Sequence, residues 1–131
     1  MQYDLKNELT VSQSLAPETR TSTANGTGVD LQGYHSALVL INCGTWTDGV
    51  FTFEVQESDD DSTYAAVASA ELDGTEPVVD AADEDEVIHT IGYQGDARYI
   101  RVIVTVTGSP STGMDFGASI IAGHYHRPPV S

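Results

Sequence analysis

Apolar and polar side chains alternate between positions 36 and 58 in a way that is typical of β-strands. Residues 36–43 form a strongly apolar run, and the turn-forming residues 44–49 separate it from a second run at 50–58. In the second run, apolar residues fall at every second position and polar residues lie between them. The apolar members are Phe51, Phe53 and Val55. Because successive side chains of a strand point to opposite faces, this pattern predicts a sheet with one buried face and one solvated face.

Several more short strands are predicted along the rest of the chain. They lie at 29–31, 64–70, 87–92, 99–107 and 114–125. Glycine, proline and aspartate turns separate them, and no segment shows a sustained 3.6-residue period with helix caps. Residues 71–86 are acidic and contain Pro77, which predicts a long loop rather than regular structure. The pattern predicts one all-β domain, an antiparallel β-sandwich with a jelly-roll-like arrangement.

The first 28 residues differ from the body at 29–131. They are polar, rich in Thr and Ser, and only thinly apolar. Short alternating pieces around 8–15 and 19–24 predict an extended arm that ends in one or two edge strands. An arm of this kind gains stability by lying across a neighbouring molecule. We therefore predict partner contacts through its apolar side chains, which are Leu5, Leu9, Val11 and Leu15.

The charge of the chain is strongly negative. Five Lys and Arg residues stand against 20 Asp and Glu residues, a formal net charge of −15, and no Lys or Arg occurs between Arg20 and Arg98. Nucleic-acid binding needs clustered cations, so this composition argues against it. The acidity favours solubility or docking to a basic partner. Neither an apolar run of about 20 residues nor a secretory leader pattern is visible, and we expect no membrane association.

Candidate sites for metal chemistry are few. Asp59, Asp60 and Asp61 offer oxygen ligands to Ca²⁺, but they lack the alternate spacing and the glycine of calcium loops, so a solvated turn is the main interpretation. His124 and His126 share a strand face at i, i+2, with no third ligand indicated. Cys43 lies in an apolar strand, where a free cysteine acts as a small hydrophobe. No nucleophile, phosphate-loop or dinucleotide motif is present, and we expect neither an enzyme nor a cofactor.

Two further places are candidates for partner contact. Trp46 lies in a predicted turn, where it either anchors a partner or folds back over the end of the sandwich. At the C-terminal end, His124, Tyr125 and His126 precede two prolines. We predict that these three residues contact a neighbouring molecule.

Three segments carry a resemblance to a known group of proteins. They are GVDLQGY at 28–34 with the apolar strand after it, VQESDDDSTY at 55–64, and YIRV at 99–102. Together they resemble small structural proteins of tailed bacteriophages, in which a VDL-x-GY segment precedes an apolar strand and a later strand ends in a Glu-Ser-Asp-Asp-Gly-Ser-x-aromatic turn. Asp61 stands where that group has glycine. The similarity covers roughly residues 15–125 and is to head decoration, or cement, proteins.

The resemblance implies a non-enzymatic virion protein that is made in the host cytoplasm. Such a protein binds the outside of the capsid and stabilises it. Its partner is the major capsid protein, and decoration proteins commonly form trimers or other cyclic oligomers. Two alternatives stay open at this point. One is a tail or head–tail structural protein, and the other is a Ca²⁺-dependent carbohydrate-binding module that uses Asp59, Asp60, Asp61 and Trp46.

Overall fold

Two antiparallel sheets pack face to face in the computed structural model, which describes residues 9–32, 34–81 and 87–125, without the side chains of His35, His124 and Tyr125. The strands in chain order are β1 Thr10–Arg20, β2 Ala24–Asn25, β3 Val29–Asp30, β4 Tyr34–Trp46, β5 Val50–Ser58, β6 Ala65–Ala66, β7 Leu72–Asp73, β8 Val78–Val79, β9 Ile88–Tyr93, β10 Tyr99–Thr107 and β11 Met114–Tyr125. A single 3₁₀ turn, Ser69–Glu71, is the helical element of this described part. The predicted all-β sandwich is confirmed.

Each sheet is held by a few long strands, and short strands extend its edges. The first sheet has the order β1-β11-β4-β9-β7. The second has the order β2-β10-β5-β6, with β3 also paired to β10 and β8 to β5. All of these pairs are antiparallel. Several strands that lie side by side in a sheet are distant in sequence, as β1 and β11 are.

The core lies between the sheets and follows the predicted alternation. In β5 the buried positions are Phe51, Phe53 and Val55, and in β10 they are Ile100, Val102 and Val104. Phe116 of β11 meets both phenylalanine rings edge to face, with ring centroids 5.7 and 5.1 Å apart. This geometry suits the quadrupoles of aromatic rings. Cys43 is buried in the core, as predicted.

Strand bounds agree best where the alternation is strict. β5, β10 and β11 begin and end where the sequence predicts. The strand predicted at 36–43 is longer, Tyr34–Trp46, because its ends also pair with β11. The strand predicted at 64–70 shrinks to Ala65–Ala66 and gives way to the 3₁₀ turn, since its alanines offer little apolar area to bury.

The prediction that residues 71–86 are a loop without regular structure is wrong for its first half. β7 and β8 both lie within it, and Val79 is fully buried in the core. β7 extends the first sheet beside β9, and β8 forms because the outer edge of β5 has backbone N–H groups that need acceptors. The Pro77 carbonyl accepts the Phe53 N–H, and the Glu76 carboxylate accepts the Val55 N–H at 2.6 Å. Residues 82–86 lie outside the described residues.

The N-terminal segment is built into both sheets from Thr10 onward. β1 is an edge strand of the first sheet and β2 an edge strand of the second. A bulge between Gln13 and Leu15 breaks the alternation of β1, so that Ser14 and Leu15 are both buried. In the part of the chain that the structure describes, no helix is long and apolar enough to cross a membrane.

Candidate interaction surfaces

The three segments that carry the sequence resemblance meet at one end of the sandwich. β3, from the first segment, pairs with the start of β10, from the third, through Val29 with Ile100 and Asp30 with Tyr99. The Asp30 carboxylate accepts two hydrogen bonds from the Arg98 guanidinium, at 3.0 and 2.8 Å. This ion pair lowers the pKa of Asp30. We call this end of the molecule the motif cluster, residues 28–31, 58–64 and 98–101.

The turn at 58–64 is organised by one carboxylate. Asp60 Oδ1 accepts hydrogen bonds from the backbone N–H of Thr63 and Ser62, both at 3.0 Å, and from Ser58 Oγ at 2.8 Å. These bonds, that from Thr63 foremost, lower the pKa of Asp60. Asp61 follows with φ 58°, a left-handed conformation that glycine adopts most easily. The position where the similar phage proteins have glycine therefore keeps a backbone conformation suited to glycine.

Tyr64 joins this turn to the strand β10. Its ring lies on the Arg101 guanidinium, 4.0 Å from ring centroid to Cζ, and its hydroxyl donates to the Asp61 carboxylate. Burial and this hydrogen bond raise the pKa of Tyr64 to about 12. A Cβ atom at Gly28 would overlap the Tyr64 hydroxyl, so a larger residue there would displace the Tyr64 side chain from its present contacts. The motif residues thus bind one another, which gives them a structural role.

The structure gives no support to the calcium interpretation of Asp59, Asp60 and Asp61. Asp60 is occupied by the turn that it organises. Within residues 9–32, 34–81 and 87–125, no group of three or more His, Cys, Asp or Glu side chains is placed to hold a metal ion. The side chain of His124 and the whole of His126 lie outside the described part, so the predicted histidine pair is not placed by the structure.

A separate group of carboxylates lies beside the motif cluster, around Glu57. One carboxylate oxygen of Glu57 is buried and has no hydrogen-bond partner among the described residues. Burial raises the pKa of Glu57, and the carboxylates of Glu71, Asp59 and Asp96 raise it further. A cavity of about 430 Å³ adjoins these side chains. This arrangement favours the protonated form of Glu57 and makes stability depend on pH.

Arginine side chains in the described part all bind groups of the same chain. Arg98 pairs with Asp30, and Arg101 donates to Gln56 Oε1 while it stacks on Tyr64. Arg20 contacts Glu18 at 3.1 Å. These three guanidinium groups are therefore engaged internally, and this weakens further any interpretation of the protein as a binder of polyanions.

Trp46 is the last residue of β4 and packs against the core. Its indole is half-buried against the core, and Nε1 donates to the Gly49 carbonyl at 2.9 Å. Beside it, the Asp48 carboxylate accepts the backbone N–H groups of Gly113, Ser111 and Thr112, and these bonds, with Gly113 foremost, lower the pKa of Asp48. These hydrogen bonds connect the β4–β5 turn to the β10–β11 loop.

The residues predicted to make the partner contacts of the arm differ in how exposed their side chains are. Leu15 is 3% exposed and belongs to the core, whereas Val11 is 62% exposed at the edge of β1. Leu9 is half-buried and lies over Gly123. Leu5 lies outside the described residues, and Tyr125 is described by its backbone only, at the end of β11.

The outward surface of the first sheet is a feature that the sequence analysis missed. Its side chains alternate with core residues of β1, β11, β4 and β9, and none is charged in the part that β11 covers with residues 117–123, although Asp115 is exposed beside this part on the same side of β11. They are Val11 and Gln13 of β1, Gly117, Ser119, Ile121 and Gly123 of β11, Ser36, Leu38, Leu40 and Asn42 of β4, and Ile88 and Thr90 of β9. We call this surface the uncharged face. In a chain of net charge −15, such a surface stands out.

The rows of the uncharged face follow from strand register. Val11, Ile121 and Leu38 lie side by side and make an apolar row. The next row, Gln13, Ser119 and Leu40, combines two polar side chains with one apolar side chain. Two of the large apolar side chains that are most exposed in the described part, Val11 and Ile88, belong to this face. The signal in the sequence was the lack of charge at alternate positions of β4 and of residues 117–123 in β11.

Comparison with solved structures supports the fold, and none of the comparisons with known proteins indicates a function. No protein-family model matches the sequence, and no curated protein matches it. The fold is similar to the crystal structure of PBSX exported protein XepA, with a TM-score of 0.53 and 16% sequence identity. The match covers 93% of this chain and 39% of that chain, so the present chain spans about two fifths of XepA's length. At this identity the likeness shows a shared sandwich fold.

Proposed function

We propose that this chain is a non-enzymatic structural protein of a tailed-phage virion, which binds the outside of the capsid and stabilises it. The observation that carries the proposal is the motif cluster. Three segments that are far apart in sequence, and that each resemble phage decoration proteins, form one connected set of contacts. The resemblance is therefore matched by a coherent structure and not by scattered short similarities.

The chemistry of the described residues supports an assembly role. Several carboxylates near the surface cap turns, pair with arginine or lie in the acidic group around Glu57. A rigid sandwich stiffened by these contacts can brace a shell without binding a small molecule. The likeness to PBSX exported protein XepA is compatible with a phage-associated structural role.

Contacts with the major capsid protein are proposed at the ends of the chain. The N-terminal residues that precede β1, including Leu5 and Leu9, and the C-terminal His124, Tyr125 and His126 are the proposed contacts. The acidic surface around Glu57 adds long-range attraction to basic patches of the shell, and salt screens this attraction. Leu15 is left out because its side chain packs in the core.

Co-sedimentation with expanded, undecorated capsids tests the proposal. Saturable binding in a simple ratio to the major capsid protein, and a higher melting temperature of the decorated shell, are the expected results. A variant that lacks residues 1–8 keeps Ser14 and Leu15 and is expected to stay folded while it loses binding. Thr105→Glu, on the outer face of the second sheet, is the matched control for general charge effects.

Other outcomes separate the alternatives. Absence of binding to the shell at every salt concentration, together with binding to purified tails, would assign the chain to the tail. A melting temperature that rises with millimolar Ca²⁺ or sugar would instead indicate a carbohydrate-binding module, because a ligand of the native state stabilises it by mass action. The placement of Asp60 and Trp46 in internal contacts argues against this second alternative.

A further inference from the structure

We propose that Asn25 is a site of spontaneous deamidation, which the folded chain suppresses by holding the backbone N–H of Gly26 and which becomes reactive when β2 separates from β10. The modification consumes water and needs no enzyme. This assignment goes beyond the capsid role and does not depend on it, because the reaction can be followed in the purified protein without a capsid.

The reaction joins the backbone nitrogen of Gly26 to the side-chain carbon Cγ of Asn25. As this bond forms, the backbone nitrogen gives up its proton and the bond from Cγ to the side-chain nitrogen breaks. Ammonia leaves, and a five-membered succinimide ring remains. Water then opens the ring at one of its two carbonyl carbons. One opening leaves aspartate, and the other leaves isoaspartate, whose main chain runs through the former side chain of Asn25.

Packing explains why a glycine follows this asparagine. A Cβ atom at Gly26 would overlap both Ser14 Oγ and the Val102 carbonyl oxygen, so the close approach of β1 and β10 requires glycine there. Glycine also hinders the attack least, because no side chain shields its nitrogen. Asn-Gly pairs are typical of tight turns, but here Asn25 ends the strand β2 and is exposed. The contact that demands glycine therefore places the most reactive neighbour beside an exposed asparagine.

Hydrogen bonds hold the nitrogen of Gly26 away from the Asn25 side chain in the folded chain. The Gly26 N–H donates to the Val102 carbonyl at 2.9 Å. On the other side, the Thr27 N–H donates to the Ser14 carbonyl at 2.7 Å, and Ser14 Oγ donates to the Thr27 carbonyl at 3.0 Å. Ring closure requires rotation about the Cα–C bond of Asn25, and this rotation turns the Gly26 N–H away from its acceptor. Gly26 is also buried, so solvent base does not reach its proton.

Local opening of β2 removes this protection. β2 is the outermost strand of its sheet and pairs with β10 only through Asn25 with Ile103 and Ala24 with Val104. Short edge strands open at a lower free energy than core strands, and a reaction of the open form follows its population. Isoaspartate adds an atom to the main chain between Asn25 and Gly26, which breaks the register of β2 on β10. A passing opening thereby becomes a permanent change.

Peptide mapping by mass spectrometry, after incubation in mildly alkaline buffer, tests the inference. The folded wild type is compared with the chain unfolded in guanidinium chloride, and Ser14→Ala is compared with Ser12→Ala, a matched control on the same strand. Ser14 Oγ accepts the Val102 N–H at 2.9 Å, so its loss loosens the contact that holds Gly26. Asn25→Gln is the control for the site, because glutamine must close a larger ring and reacts far more slowly. Circular dichroism establishes that each variant is folded.

Deamidation at Asn25 is expected to be at least about tenfold slower in the folded wild type than in the unfolded chain. Ser14→Ala should react about tenfold faster than the folded wild type, and Ser12→Ala should react like it. Should Ser14→Ala not fold, hydrogen exchange of the wild-type Gly26 N–H supplies the second measurement, because folding should slow exchange and deamidation by similar factors.

Three results would overturn the inference. The first is a folded wild type that deamidates at Asn25 as fast as the unfolded chain. The second is a folded Ser14→Ala variant that reacts no faster than the wild type. The third is a mass gain in the folded protein that maps to Asn42, in β4, and not to Asn25.

Discussion

The hydroxyl of Ser14 is expected to be worth more to stability than its size suggests. Ser14 is 4% exposed at the bulge of β1, and its Oγ crosses to the second sheet. There it accepts the backbone N–H of Val102 at 2.9 Å and donates to the Thr27 carbonyl at 3.0 Å. Gly26 donates to the Val102 carbonyl at 2.9 Å, so Ser14 and Gly26 together satisfy the backbone N–H and carbonyl of Val102.

Replacing Ser14 by alanine removes that acceptor from a buried donor. Val102 is 0% exposed, so water cannot reach its N–H group without local opening. An unpaired buried donor costs about 1–3 kcal/mol. Thr27 is exposed, and water replaces the lost donor to its carbonyl at little cost. We expect Ser14→Ala to lower the free energy of unfolding by about 2 kcal/mol, a large fraction of the about 5–15 kcal/mol that domains have.

Urea unfolding, followed by Trp46 fluorescence, measures this difference. The midpoint should fall while the slope with denaturant stays the same, because the surface exposed on unfolding is unchanged. Ser12→Ala is the control, since Ser12 lies on the same strand, half-buried but without the crossing role, and should cost less than about 0.5 kcal/mol. Equal losses in the two variants would refute the reasoning.

Three further predictions concern a carboxylate, a turn and a close backbone approach. Glu57→Gln is expected to raise the melting temperature at about pH 7.5 and to leave it unchanged near pH 4. Burial raises the pKa of Glu57, so its ionised form opposes folding above that pKa, and this effect fades as the pH falls. Equal gains in melting temperature at both pH values would contradict this. Asp61→Ala should lower the free energy of unfolding in urea by about 1 kcal/mol, since alanine at φ 58° is strained and the Tyr64 hydroxyl loses its acceptor. Asp61→Asn should lower it less. An alanine variant as stable as the wild type would contradict the assigned turn. Gly26→Ala should be more destabilising than Ser14→Ala, because the Cβ atom of the new alanine would overlap Ser14 Oγ. Limited proteolysis should detect the loosened structure. Unchanged protease resistance would count against this prediction.

Local patterns determined much of the sandwich. Strict alternation in 50–58 and 99–107 sets which side chains are buried, because the two-residue period of a strand is a property of the chain itself. The same reasoning failed at 72–79, where β8 forms because an edge of β5 supplies partners. Two valines in an acidic stretch are too short a signal to reveal that edge.

Strand order was decided by the tertiary structure. It placed β1 beside β11 and brought 28–31, 58–64 and 98–101 to one end, and neither result is written in periodicity. Ser14 looked like an ordinary polar residue of an arm, and only the bulge that turns it inward gave it a buried partner on β10.

The uncharged face shows the same division. The sequence by itself determined that alternate positions of β4 and of residues 117–123 in β11 lack charge. Only the pairing of β1, β11, β4 and β9 joined those positions into one continuous surface. Pairing between strands that are distant in sequence depends on which edges and apolar faces are left to be covered once the whole chain has folded, and no local pattern contains that information.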